Sequence, residues 1–405
     1  MTVTSVDFSD PHAYVTGPPH EFFDYIRAEH PAYWFADERA CPPGFWVLTR
    51  YHDVITVSRD AALFSSGAHG SLMEESEESA GLLINTDAPY HTRMRNLVAR
   101  MFTPKTIREM EPRIRQAATG IFDRAEAAAA AAPDGVIDFV GTLAMELPLI
   151  LICELIGVPM EDRLKVFNWS NRMIGRDDDE YGSGAEDAML ASLELYTYFQ
   201  AMADDRRANP QSDIITLLLN AEVEGEHLTD LEFNMFMLLL SVAGNETTRN
   251  SISGGMLALF EHPEQREILQ ADLVGVMPTA IDEILRFVSP VMAFRRTAMR
   301  DVEMHGMTIK ADDAVMIWYG AANRDPDIFK NPHTFDVRRT PNEHIAFGGR
   351  GPHYCLGVAL AKMQLTVFYE TLFQRFPRIE QAGEPQRLAS FLINGIRHLP
   401  VKLNA

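Results

Sequence analysis

The sequence predicts a mainly α-helical fold with small β-sheets, laid out as one large domain over residues 1–405. Three observations carry this expectation. Apolar residues recur with helical spacing near 103–132, 139–156, 186–207, 228–260 and 263–288, the signature of helices that bury one face. Aromatic and β-branched runs are short and confined to two regions. No repeat of fixed period and no Pro/Ser-rich linker divides the chain, so nothing marks a domain boundary.

In chain order, Phe45 to Tyr51 is rich in aromatic and β-branched residues and reads as a strand. The helix near 103–132 closes on the helix-forming run Ala127 to Ala132 and is stopped by Pro133-Asp134-Gly135. Val302 to Tyr319 is the second sheet-like region, with a turn at His305-Gly306 and an apolar strand from Ala314 to Tyr319. A last helix is expected from Val358 to Phe373. The acidic patches Glu74-Glu75-Ser76-Glu77-Glu78 and Asp177-Asp178-Asp179-Glu180 sit beside glycines and read as solvated connections.

Composition narrows the function classes. With 46% apolar and 23% charged residues the chain is of ordinary globular type. A net charge of −21 repels polyanions, which argues against nucleic acid or anionic lipid as partners. Cys41, Cys153 and Cys355 are odd in number and widely spaced, which suits a reducing compartment and single-residue cysteine chemistry. Residues 1–20 carry no basic-then-apolar leader. The apolar runs Leu147 to Val158 and Met235 to Gly244 fall short of the roughly 20 residues a bilayer needs. A cytoplasmic monomer without a membrane anchor is the expectation.

The segment richest in chemistry is Phe347-Gly348-Gly349-Arg350-Gly351-Pro352-His353-Tyr354-Cys355-Leu356-Gly357. Its glycines permit positive φ and leave room for a flat ligand against the backbone. Cys355 precedes a helix, whose free amides and dipole favour a thiolate. Structural zinc would need three further ligands at short spacing, and the sequence has none there. A thiolate as axial ligand to haem iron fits better, because it donates electron density that favours O–O cleavage.

The hexad Ala243-Gly244-Asn245-Glu246-Thr247-Thr248 interrupts a strongly apolar helical pattern from Leu231 to Phe260. Buried polar groups need partners, and a mid-helix glycine costs about 1 kcal/mol against alanine. Such residues persist there either as a polar kink or because they are used. A threonine hydroxyl can bond the carbonyl one turn back, and a glycine leaves space for a diatomic molecule.

Together these segments resemble the cytochrome P450 family, whose cysteine loop is written F-G-x-G-x-[HR]-x-C-x-G. Gly349, Gly351, His353, Cys355 and Gly357 match it; Gly348 stands at the usual phenylalanine position, with Phe347 one residue earlier. The form is similar to the bacterial branch acting on sterol side chains and methyl-branched lipids. The resemblance implies a triangular helical domain with haem b between a long central helix and the helix after the cysteine. It makes Cys355 the metal ligand, and places Ala243 and Gly244 against the haem. It also makes Thr247 a hydrogen-bond donor toward dioxygen and Glu246 a proton-relay acid. The Glu283-x-x-Arg286 pair, with Phe335-Asp336-Val337-Arg338-Arg339, is implied to form a Glu283–Arg286–Arg339 structural network. His91, Arg95, Arg296 and His353 are the implied propionate partners, the first two from Asp87-x-Pro89-x-His91-x-x-x-Arg95.

By family position the substrate pocket is expected at Met73, Leu82, Leu83, the residues preceding Gly244, Val291, Met292, Phe294, Leu392 and Ile393, nearly all apolar. Gly175 to Gly184 is expected to form a lid that opens to admit substrate. The implied reaction is hydroxylation of an unactivated C–H bond of a hydrophobic substrate, such as a sterol side chain, branched fatty acid or terpenoid. Its electrons come from NAD(P)H through a separate ferredoxin and ferredoxin reductase, docking near Arg100, Lys105, Arg108 and Arg350. Two alternatives remain open: a peroxide-dependent haem-thiolate peroxygenase, and a non-catalytic haem- or lipid-binding protein.

Overall fold

The computed structural model describes residues 5–74, 79–182, 184–223 and 226–404. Glu75 to Glu78, part of the first acidic patch, lie outside the described residues. The helices, in chain order, are α1 (His20–Glu29), α2 (Tyr51–Arg59), α3 (Tyr90–Ala99), α4 (Pro104–Ala131), α5 (Glu146–Ile156), α6 (Arg163–Ile174), α7 (Ala185–Ala208), α8 (Ile214–Leu219), α9 (Asp230–Glu261), α10 (Pro263–Ala271), α11 (Leu273–Val288), α12 (Tyr319–Ala322) and α13 (Val358–Arg375).

The longest of them, α9, is anchored by a capping box. Thr229 Oγ1 accepts from the Glu232 amide at 3.2 Å, and Glu232 accepts in return from the Thr229 amide at 2.9 Å. Beyond that turn the helix is buried on most sides, packed by α5, α6, α7, α11 and α13. The largest apolar core forms around it, with Phe122, Leu147, Ile152, Met256, Ile284, Leu365 and Phe368 among its members.

The sheets lie to one side. A five-stranded sheet joins, in spatial order, β1 (Tyr33–Ala36), β2 (Gly44–Leu48), β10 (Ala314–Trp318), β7 (Ala293–Ala298) and β3 (Phe64–Ser65). Its only parallel pairing among the described residues is β2 with β10, where Phe45 faces Ala314 and Leu48 faces Ile317. The hairpin β8 (Val302–Met304) and β9 (Met307–Ile309) turns at His305 and Gly306, both at positive φ. A further antiparallel pair joins β12 (Gln386–Arg387) to β13 (Ile396–His398).

Three sequence expectations shift. The strand expected from Phe45 to Tyr51 ends at Leu48, because Asp325 accepts the Tyr51 amide at 2.8 Å and α2 starts there. The strand expected to end at Tyr319 likewise stops at Trp318, where α12 begins. The helix expected over 263–288 is two helices, parted at Asp272, whose carboxylate caps the Gly275 amide at 2.9 Å. Among the described residues, no helix is long and apolar enough to cross a membrane.

Candidate active site

The cysteine loop is folded back on itself before α13 begins. The Gly348 amide donates to Ile345 O at 2.9 Å, Tyr354 to Gly351 O at 3.0 Å, and Cys355 to Phe347 O at 3.0 Å. Gly348 takes φ +102°, which a side chain rarely tolerates. Gly351 serves packing rather than ligand clearance. A Cβ there would fall 1.7 Å from Ser58 O in α2, so the expectation that all four glycines clear a flat ligand is corrected. Of the four loop glycines, Gly348 and Gly357 line the cavity above Cys355 and Gly349 and Gly351 do not.

Cys355 is exposed on the wall of that cavity. Burial pushes its thiol above the ordinary value, while the Gly357 amide and the Arg95 guanidinium pull the other way. The cavity holds about 1530 Å³ of empty space, its mouth included. On the wall formed by α9 stand Ala243, Gly244, Thr247, Thr248 and Ser251. The Thr247 hydroxyl donates to Ala243 O at 2.9 Å. At Gly244 the close neighbour is Ile152 of α5, whose Cδ1 would lie 2.9 Å from an added Cβ; the glycine therefore admits both cavity and helix packing.

Glu246 departs from expectation. It is 1% exposed and is not among the cavity-lining residues. Its Oε2 accepts from Arg249 Nη2, and Arg249 Nη1 donates to Asn171 Oδ1 of α6 at 2.9 Å. The Arg249 guanidinium sits 5.6 Å from the rings of Phe167 and Tyr181. Burial raises the Glu246 pKa and Arg249 opposes the shift. The acid thus faces the α6 side of α9, and its Oε1 has no partner among the described residues.

At the other end of the cavity His91, Arg95, Arg296 and His353 converge. The His91 and His353 rings are 4.1 Å apart. Arg95 donates to Tyr354 O, and Arg296 is fully desolvated with one bond, to Arg295 O, at 2.6 Å. Burial and the neighbouring cations Arg296, His91 and Arg95 push His353 down to about 2. Its Nε2 is buried without a partner. No carboxylate lines the cavity among the described residues; Asp87, outside the lining, offsets His91 and Arg296 only in part, which leaves this end short of negative charge. A flat dianion meets that deficit, and the residues therefore fit a haem: two propionates here, the ring between α9 and the cysteine loop.

The distal lining is largely apolar. Of the expected pocket residues, Leu83, Val291 and Phe294 line the cavity, while Met73, Leu82, Met292, Leu392 and Ile393 do not. Met73 and Met292 are 2% exposed in a separate core beneath the five-stranded sheet. Leu392 acts through its backbone, accepting the Met292 amide at 2.8 Å, and Ile393 bridges Val291. Leu82 stands just before the turn that presents Leu83 and Ile84. The sequence reading missed Ile84, Phe102, Ile152, Phe236 and Tyr319. Ile152 sits in an apolar run indistinguishable from core, so no local signal marked it.

Beneath the loop, Glu283 and Arg286 are fully buried and doubly bonded, at 2.8 Å each. Arg339 Nε reaches Glu283 Oε2 at 3.0 Å. Arg286 also donates to Asn323 O, and Asn323 Oδ1 accepts the Ile345 amide at 2.8 Å, at the base of the cysteine loop. Buried charges so fully satisfied form a rigid support.

The family model for cytochrome P450 matches residues 12–394. The chain belongs to the cytochrome P450 family and is a haem-thiolate monooxygenase. It is 41% identical to the steroid C26-monooxygenase of Mycobacterium tuberculosis over 409 residues, covering 98% of this chain and 92% of that protein. It is also 41% identical to the methyl-branched lipid omega-hydroxylase of the same species over 361 residues, covering 88% and 84%. Among solved structures, a Mycobacterium marinum cytochrome P450 in complex with pseudoionone superposes with a TM-score of 0.91 at 34% identity, covering 99% and 98%. A Bacillus megaterium structure in complex with testosterone gives 0.86 at 33% identity, covering 96% and 98%.

Proposed function

We propose that this monooxygenase hydroxylates an unactivated C–H bond on a branched, apolar substrate of the sterol side-chain or methyl-branched lipid class. The observation that carries the reading is the lining above Cys355: Leu83, Ile84, Phe236, Leu239, Leu240, Val291 and Phe294 offer no charge to a substrate. Such a wall selects by shape and by release of water from apolar surface. The names of the two mycobacterial relatives support the same class.

The haem, when bound through Cys355, supplies the oxidising chemistry. The chain's own residues do the rest. His91, Arg95, Arg296 and His353, which converge at one end of the cavity, would hold the haem's propionates. Thr247 and Thr248 present hydroxyls on the oxygen side, and rotation of the Thr247 hydroxyl away from Ala243 O frees it as a donor. Glu246, held by Arg249 on the α6 side of α9 and outside the cavity lining, can relay a proton toward Thr247 only after turning away from that pair. Electrons come from NAD(P)H through a ferredoxin and its reductase. Lys105, Arg108 and Arg350 are exposed candidates for the docking face, although Arg350 already pairs with Glu343; the Arg100 side chain lies outside the described residues. Opposite charge on the partner would speed encounter.

Optical titration of the purified protein tests the substrate class. Sterols with intact side chains and methyl-branched fatty acids are expected to shift the Soret band, while polar or charged aromatics leave it in place. Failure of every apolar member to shift the band would abandon the class. Thr247→Ala is expected to divert reducing equivalents into hydrogen peroxide release; unchanged coupling would favour a binding protein, and faster turnover with added peroxide than with ferredoxin would favour a peroxygenase.

A further inference from the structure

A second cavity, apart from the one above Cys355, opens where residues 16–20 meet the C-terminal turns of α9 and α11 and the β12–β13 pair. It holds about 660 Å³ of empty space, mouth included, and its lining contains His20, Glu261, Arg324, Arg387 and Asn394. Arg324 is 4% exposed, yet no carboxylate among the described residues forms a salt bridge with it. It donates through Nη2 to Phe287 O at 2.8 Å and weakly through Nη1 to Gly320 O at 3.4 Å, with its guanidinium 4.7 Å from the Phe287 ring. Arg387 donates through Nη1 to Asn394 Oδ1 at 3.2 Å, and its Nε and Nη2 have no acceptor among the described residues. His20 Nδ1 is buried without a partner among the described residues.

A purely structural account exists for part of this. Arg324 and Asn394 cap the end of α11: Asn394 Nδ2 donates to Val288 O at 2.6 Å, and cations suit a helix C-terminus. Those bonds use up the carbonyls there; Glu283 and Asp24 act on Arg324 from outside the cavity lining and Glu261 acts on Arg387, but none of the three forms a salt bridge with either guanidinium among the described residues. Glu261, exposed at the end of α9, is the only carboxylate in the lining among the described residues. The electrostatics agree: burial pulls Arg324 down to about 9 and lowers Arg387, and His20 is driven well down by burial and then by Arg324. Desolvated guanidiniums facing a polar cavity call for an anion.

We propose that this cavity is a binding site for a small oxyanion of the phosphate class, held between Arg324 and Arg387 with His20 as a further donor. Guanidinium forks match tetrahedral oxyanions through paired N–H donors. The anion would tie residues 16–20 to α11 and to the β12–β13 pair, so binding stabilises the fold without entering the reaction.

Holoenzyme is titrated with inorganic phosphate by calorimetry and by thermal unfolding, at ionic strength held constant with chloride. Saturable heat and a saturable rise in Tm are expected. Arg387→Gln, at a partly exposed position, should weaken phosphate by about tenfold or more, the loss expected for a hydrogen bond to a charged group. Glu261→Gln should tighten it by removing the one carboxylate. Absence of heat, or a Tm rise identical in wild type and Arg387→Gln, would reduce the effect to general exclusion of phosphate from the surface and overturn the proposal. If Arg387→Gln fails to fold, an unchanged affinity in Glu261→Gln overturns it instead. Acetate binding as tightly as phosphate overturns the ligand class. Competition by glycerol phosphate at equal affinity supports an esterified phosphate as the source, and its exclusion supports the free ion.

Discussion

At the scale of single residues, the pairing of Glu246 with Arg249 sets the electrostatics of the distal side. Both are buried in α9 one turn apart, and among the described residues the only other hydrogen bond of the Arg249 guanidinium reaches Asn171 in α6. Removing one partner of a buried pair leaves the other uncompensated, a loss of about 3–5 kcal/mol. Arg249→Leu is therefore expected to destabilise the protein by that order at pH 8. The sign with pH follows from the raised Glu246 pKa. A carboxyl whose folded value lies above its unfolded one contributes fully below the unfolded value, near 4.3, and loses that contribution as pH rises through the folded value. The variant should regain stability between pH 8 and pH 5 by taking up a proton, and Glu246→Gln should rescue it at pH 8. Denaturant curves at the two pH values decide this; an equal deficit at both would refute it. At the cationic end of the cavity, Arg296→Leu is expected to speed transfer of haem to an acceptor apoprotein, and an unchanged transfer rate would remove Arg296 from the propionate set.

At the scale of elements, the break between α10 and α11 shows what periodicity conceals. Apolar spacing continues through 263–288 as if one helix ran on, but Asp272 takes a non-helical conformation and caps Gly275. Asp272→Ala is expected to cost about 1 kcal/mol, the usual value of an N-cap, measured as a lower urea midpoint; no change would mean that packing alone fixes the junction. Long helices were legible because their apolar stripes repeat many times, and the cysteine loop and the hexad because their residue types are improbable in a core. Distal lining residues such as Ile152 and Phe102 were not, because a side chain against a cavity and one against a neighbour have the same chemistry. Leu392 and Ile393 were placed by analogy of position, whereas the chain uses their backbones to pair with Met292 and Val291. Glu246 was legible as an acid in a helix, but not its direction, since that depends on Asn171 and Tyr181 from elements distant in sequence.

At the scale of the whole molecule, the connection after α6 is tied to three separate parts of the chain. Arg176 pairs with Glu74, Asp178 accepts from Arg397 at 2.9 Å and from the Ala389 amide at 2.9 Å, and Glu180 meets His398 Nε2 at 2.8 Å. His398 Nδ1 faces Asp138 at 3.0 Å, and the two carboxylates raise its pKa against the effect of burial. A histidine raised on folding stabilises fully below its unfolded value, near 6.5, and ceases to do so as pH climbs through the folded one. Cleavage within 175–184 by a protease is thus expected to accelerate above neutral pH. His398→Gln should flatten that profile; a profile unchanged by the substitution would exclude the tether as its source.

The parallel pairing of β2 with β10 has a consequence for biogenesis. Phe45 to Leu48 leave the ribosome early, yet the strand that lies alongside them in parallel is among the later parts to be synthesised. Until then only the β1 hairpin can satisfy that backbone, and its other edge stays open to foreign strands. Since Arg296 belongs to β7, which pairs with β10, the nascent chain cannot assemble its porphyrin cradle before that edge is closed. Truncated products ending before Ala314 should accordingly be prone to aggregation and unable to retain porphyrin.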